Sequence, residues 1–139
     1  MSAPMTLTFH GIVPKEWIAG EVRTHADMLE AHCDDIREWR VAVDLRHRHH
    51  KAGDRFNVRI EMMVPGEDLA VTHGANVPGA KQDIDEKEWM RQFDVGSMRR
   101  HLRLVIKEAF DEAQRRLENY TRRRRHAVNM HQRPVHGAA

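Results

Sequence analysis

Two periodicities alternate along this chain. Phe56, Val58, Ile60, Met62 and Val64 are spaced by two, with mostly polar residues between them. That pattern predicts a strand over 55–64 with one buried face. Pro65-Gly66 ends it, because proline removes a ladder donor and glycine permits positive φ. A short fourth strand, Leu69 to His73, follows the tight connection Gly66-Glu67-Asp68. Upstream, Val41, Val43 and Leu45 alternate with Arg40, Asp44 and Arg46, which predicts a strand over 40–47. Leu7, Phe9 and Ile12 mark a first strand over 6–12.

The other period is helical. Trp17, Ile18, Val22, Ala26, Leu29 and Cys33 recur at offsets of three and four, which predicts an amphipathic helix running to about His32, with Pro14 at its first position. Leu102, Val105, Ile106, Ala109, Phe110, Ala113, Leu117 and Tyr120 repeat the pattern in a last helix capped by Ser97. Asp83 with Glu86 three positions on reads as the opening of a short helix to Phe93.

The predicted order is β-α-β-β-β-α. Three consecutive strands with short links make an antiparallel meander. Two amphipathic helices on one face of a four-stranded sheet would bury every apolar stripe, which predicts an α+β two-layer sandwich. The opposite face would carry Arg46, Arg59 and Glu61, open to solvent or to a partner. The expected organisation is one domain over 1–125, an inserted segment at about 75–98, and a flexible tail over 126–139 that is polar and small, with Pro134 and Gly137. Trp39 is expected to cap the second strand, and Trp89 to anchor the inserted segment.

Composition narrows the class. The 139 residues are 40% hydrophobic and 32% charged, as in a soluble protein with a heavily charged surface. No apolar run has membrane-spanning length. The first eight residues lack a signal-peptide pattern. The single cysteine, Cys33, cannot form an internal disulfide, which fits a reducing cytoplasm. Net charge is only +2, yet it is unevenly placed. From Arg99 to Arg125 there are ten basic and four acidic residues, whereas Asp83 to Asp94 holds five acids and two bases. A basic stripe on a near-neutral chain is a directional electrostatic footprint.

The candidate chemistry follows that charge. His47-Arg48-His49-His50-Lys51 admits three uses: phosphate binding, metal ligation by the histidines, or an ordinary solvated loop. Metal is disfavoured there, since no acidic or cysteine ligand stands at a matched spacing. Arg122, Arg123, Arg124 and Arg125 exceed what a helix C-terminus needs for its dipole, and the guanidinium fork suits phosphate oxygens. Arg115 and Arg116 lie two turns earlier; Arg99, Arg100 and Arg103 open the same helix, where the dipole favours anions. Trp17 is expected to pack beneath the first helix, with base stacking as its other use. Cys33 as a catalytic thiol would need a base and an acid placed by the fold. No glycine-rich phosphate loop or nucleophile elbow is present. An RNA- or acidic-protein-binding module and a small metal- or thiol-dependent enzyme therefore stand as rival readings.

The order of elements, with His47-Arg48-His49-His50, Val58-Arg59-Ile60, Val64-Pro65-Gly66, Ala109-Phe110-Asp111, Arg116-Leu117-Glu118, Tyr120 and the run Arg122 to Arg125, resembles the ribosome hibernation-promoting factor family, also called the ribosome-associated inhibitor or sigma-54 modulation family. The likeness covers roughly Leu7 to Arg125. It implies a fold similar to the double-stranded-RNA-binding domain. It also implies binding to ribosomal RNA in the small ribosomal subunit, over the messenger and tRNA sites. Translation is then inhibited by occupancy in a stress response, in the cytoplasm, with no catalysis, no cofactor, no metal, no membrane and no small-molecule substrate. Under this resemblance the RNA-binding residues are His47, Arg48, His49, His50, Lys51, Arg55, Arg99, Arg100, Arg115, Arg116, Arg122, Arg123, Arg124 and Arg125. The sequence departs from the family pattern in the longer, acidic stretch from Ala75 to Met98. It also ends where longer relatives continue into a cold-shock-type or dimerising domain, so a short-form, monomeric protein is expected.

Overall fold

The computed structural model describes residues 3–46, 54–77 and 96–137. The chain forms β1 (Met5–His10), α1 (Glu16–His32), β2 (Glu38–Arg46), β3 (Asp54–Val64), β4 (Glu67–Val77) and α2 (Gly96–Gly137). The strands make one sheet in the order β1-β2-β3-β4. β2, β3 and β4 are the expected antiparallel meander, while β1 pairs with β2 in parallel. A parallel neighbour needs a crossover, and α1 supplies it.

The strand alternation holds through the sheet. Trp39, Val41, Val43 and Leu45 of β2, Phe56, Val58, Ile60, Met62 and Val64 of β3, and Leu69, Val71 and Val77 of β4 are all buried on one face. Ile18, Val22, Ala26 and Leu29 of α1 and the α2 stripe from Leu102 to Tyr120 close over that face as a single core. The helices touch each other and α2 lies against β3 and β4, so both occupy the same side of the sheet. Among the described residues no helix is long and apolar enough to cross a membrane.

Several expectations are corrected. β2 starts at Glu38, so Trp39 shares the inward parity of Val41 and Val43 and is fully buried instead of capping the strand. Its ring lies 6.0 Å from that of Phe110, and Trp39 Nε1 donates to Glu30 Oε1 at 2.6 Å. Glu30 also accepts from the backbone N–H of Ala3 at 3.0 Å, which ties α1 to the start of the chain. β1 ends at His10, two residues early. Pro14 precedes the N-cap Lys15 and lies outside α1. β4 is longer than the expected Leu69 to His73 and continues through Gly74 to Val77. Helix α2 does not end in the arginine cluster but continues to Gly137; 126–133 contains no glycine or proline to stop it, and Pro134 falls in its last turns. The predicted short helix over 83–93 and Trp89 lie outside the described residues.

Two contacts lock the layers. Gly66 has φ of 89° after Pro65, the residue order and sign that a type II turn requires. Tyr120 donates its hydroxyl hydrogen to the carbonyl of Pro65 at 2.7 Å, so the middle of α2 is pinned to the β3–β4 turn.

Candidate nucleic-acid interface

Helix α2 turns one face to the core, and most of its cations occupy the remaining surface. Their contacts divide them. Arg103 Nε is 2.7 Å from Glu21 Oε1 on α1, and Lys107 Nζ is 2.9 Å from Asp111. Arg99 sits 4.9 Å from the centre of the Trp17 ring, a cation–π contact. Trp17 is half-buried and packs against the core, as expected of a residue beneath α1, with Arg99 over its ring.

The arginine cluster divides in the same way. Arg123 reaches Glu67 of β4 at 3.2 Å. Arg124 donates to the Tyr120 hydroxyl at 2.8 Å and lies 3.6 Å from Asp35. The hydrogen bond to Tyr120, with the nearby charge of Asp35, raises the Arg124 pKa still further, so this cation is permanent. Arg122 and Arg125 are exposed and make no side-chain hydrogen bond or ion pair among the described residues, and the same holds for Arg100, Arg115 and Arg116. One pair of the cluster therefore braces the fold and the other is available.

Arg122 and Arg125 overlook a groove of about 390 Å³ between α2 and the C-terminal end of α1, floored by Leu29, Leu117 and Cys33. A neighbouring depression of about 490 Å³ continues past Cys33 to Asp34 and Asp35. Glu118, Asp34 and Asp35 give this region mixed charge. Cys33 is a half-buried free thiol. Among the described residues no group of three histidine, cysteine or acidic side chains is arranged to hold a metal ion.

The expected site residues do not form one patch. Arg99 and Arg100 stand at the start of α2, and Arg122 to Arg125 lie more than six helical turns on, about 35 Å away at 1.5 Å per residue. Arg115 and Arg116 lie between them. Arg55 is on the opposite face of the sheet from both helices. His47, Arg48, His49, His50 and Lys51 lie outside the described residues.

That opposite face carries Arg46 and Arg59, as the strand alternation predicts, and brings Arg55 beside them. Arg46, Arg55 and Arg59, with His10 and Asn57, border a depression of about 700 Å³ over Ala42 and Thr72. Strand parity alone puts Arg46 and Arg59 outward, but it could not show the hollow between them. Glycine at 74 was the signal that could have found it: a Cβ there would collide with Asn57 Oδ1 and stand 3.1 Å from Arg55 Nη2. The missing side chain lets both groups lie across β4.

The sequence matches no protein-family model and no curated protein. The fold does have relatives among solved structures. A ribosomal subunit interface protein from Coxiella burnetii superposes with a TM-score of 0.57 at 9% identity, covering 85% of this chain and 97% of that one. The N-terminal domain of Protein Y from Thermus thermophilus superposes with a TM-score of 0.52 at 13% identity, covering 86% and 99%. At such identities the likeness is one of fold.

Proposed function

We propose that this protein binds the small ribosomal subunit through its ribosomal RNA and inhibits translation by occupying the site, as a cytoplasmic monomer with no catalytic step. The observation that carries the reading is the set of guanidinium groups along α2 with no ion-pair or hydrogen-bond partner among the described residues: Arg100, Arg115, Arg116, Arg122 and Arg125. An arginine held out of ion pairs has no structural use for its charge. Phosphate oxygens are its natural partners. The two solved structures of the same fold, named as a ribosomal subunit interface protein and as Protein Y, support the choice of the ribosome over RNA in general.

A rigid helix carrying separated cations reads the shape of folded RNA and few of its bases. His47, Arg48, His49, His50 and Lys51, between β2 and β3, add positive charge to the same reading in sequence terms. Arg133, near the C-terminal end of α2, adds one further cation beyond the arginine run.

The test is co-sedimentation of the full chain with purified small subunits, in the presence and absence of excess unstructured RNA. Retention on subunits despite competitor is expected. Complete displacement by the competitor would leave a generic RNA-binding module instead.

A further inference from the structure

We propose that the open face of the sheet is a second phosphate-binding surface, taking the sugar–phosphate backbone of a single RNA strand across Arg46, Arg55 and Arg59. The proposal rests on the protein meeting RNA. It does not depend on the ribosome or on the helix face.

The cations are arranged at a cost to the sheet. Arg46 and Arg55 are direct cross-strand partners. Like charges in that position destabilise a strand pair. Each is steered by a neighbour two residues along its own strand. Arg46 Nε is 2.8 Å from Asp44 Oδ2, and Arg55 Nε donates to Asn57 Oδ1 at 3.2 Å. Asp44 and Asn57 are themselves cross-strand partners, so both arginines lean toward the same row of the sheet. Arg59 leans the same way along β3, with Nε 3.0 Å from Glu61 Oε1.

The carboxylates lie lower than the cations they steer. Arg46 is 74% exposed against 26% for Asp44, and Arg59 is 53% exposed against 26% for Glu61. Each acid holds the Nε edge of its guanidinium near the sheet and leaves the outer edge in water. The surface a ligand would meet is therefore positive, although the summed formal charge of the face is small.

The geometry selects the ligand. Arg55 and Arg59 are four residues apart on β3, about 14 Å at roughly 3.4 Å per residue. Both side chains lean two residues onward along β3, so the guanidiniums keep about that separation and no single phosphate can engage both. Two or more linked phosphates can, with one at the Arg46–Arg55 pair and another at Arg59. The hollow over Ala42 and Thr72 leaves room for sugar between them. Among the described residues the lining holds no phenylalanine, tyrosine or tryptophan, and its one ring is His10 of the edge strand β1, so the contact would be mainly with backbone and largely indifferent to sequence.

The experiment uses the full chain and a short oligouridylate. Binding is followed by fluorescence anisotropy over a salt series and by backbone amide shifts. Shifts are expected at Ala42, Asn57, Thr72 and Gly74. The R46A/R55A/R59A variant should lower the slope of log K against log salt by about 2, and lower affinity about ten- to a hundredfold at about 0.1 M salt, from about 0.7 per single-strand contact. If that variant loses its native amide spectrum, R46Q/R59Q serves in the same assay with a slope change of about 1.4. Shifts confined to α2, or a variant that binds as tightly as the parent, would overturn the proposal. So would uridine monophosphate producing the same shifts at the same affinity, since that would identify a free nucleotide site. Loss of these shifts in the sheet variant with ribosome binding absent throughout would sink the ribosomal reading and leave this one standing.

Discussion

The division of the arginine cluster into braced and free pairs makes a quantitative prediction. R122A/R125A removes two exposed guanidiniums with no partner among the described residues. If both contact phosphates, the slope of log K against log salt falls by about 1.4 to 1.8, taking about 0.7 per contact on a single strand and about 0.9 on a duplex. At about 0.15 M salt this corresponds to a roughly fifteen- to thirtyfold weaker complex. Thermal stability should not change, because exposed side chains without partners contribute within about 0.5 kcal/mol of nothing. R123A/R124A is the matched control, with the same formal charge change one residue away. Arg123 is engaged with Glu67 and Arg124 with Tyr120 and Asp35, so the salt slope should change by less than half as much. Both variants are titrated against small subunits by filter binding at several salt concentrations, and melted by circular dichroism. Equal slopes for the two variants would show that only total charge matters and would refute the argument from pairing. An unchanged complex with R122A/R125A would remove α2 from the interface.

Further predictions concern the frame that presents these groups. Tyr120→Phe deletes the hydroxyl that ties α2 to the Pro65 carbonyl; the loss should be about 1–2 kcal/mol, read as a lower denaturant midpoint at unchanged slope. Trp39→Phe opens space in a fully buried site and removes the donor to Glu30, so a cost of about 2 kcal/mol or more is expected in the same melt. Gly74→Ala should cost about 1–3 kcal/mol by overpacking, because its methyl must displace Asn57 and Arg55. The same variant should weaken oligouridylate binding on the sheet face while leaving the α2 amides unshifted.

Comparing the chain with its structure shows which information is local. The inward parity of β2 and β3 and the core stripe of α2 were legible residue by residue, because burial of one face forces a period of two in a strand and about 3.6 in a helix. The ends of elements were less legible. The fourth strand reads as ending at His73, because the glycine after it has no local reason to be in a strand. Its reason lies on β3, in the side chains of Asn57 and Arg55. Trp39 looked like a strand end, although its place in the core depends on Phe110 and Glu30, which are distant in sequence. The arginine run was obvious as charge. That two of its four members are held by Glu67, Tyr120 and Asp35 was not, since Glu67 and Asp35 come from other elements.

The linear order of residues thus decides the elements, the inner faces and the amount of charge, because these follow from neighbours along the backbone and their spacing. Folding decides which cations are free and which are braced, and that Arg46, Arg55 and Arg59 share a hollow on the side away from the helices. Those outcomes depend on strand register and on side chains far apart in the chain meeting at a few ångströms, and no pattern along a single strand or helix carries that distance.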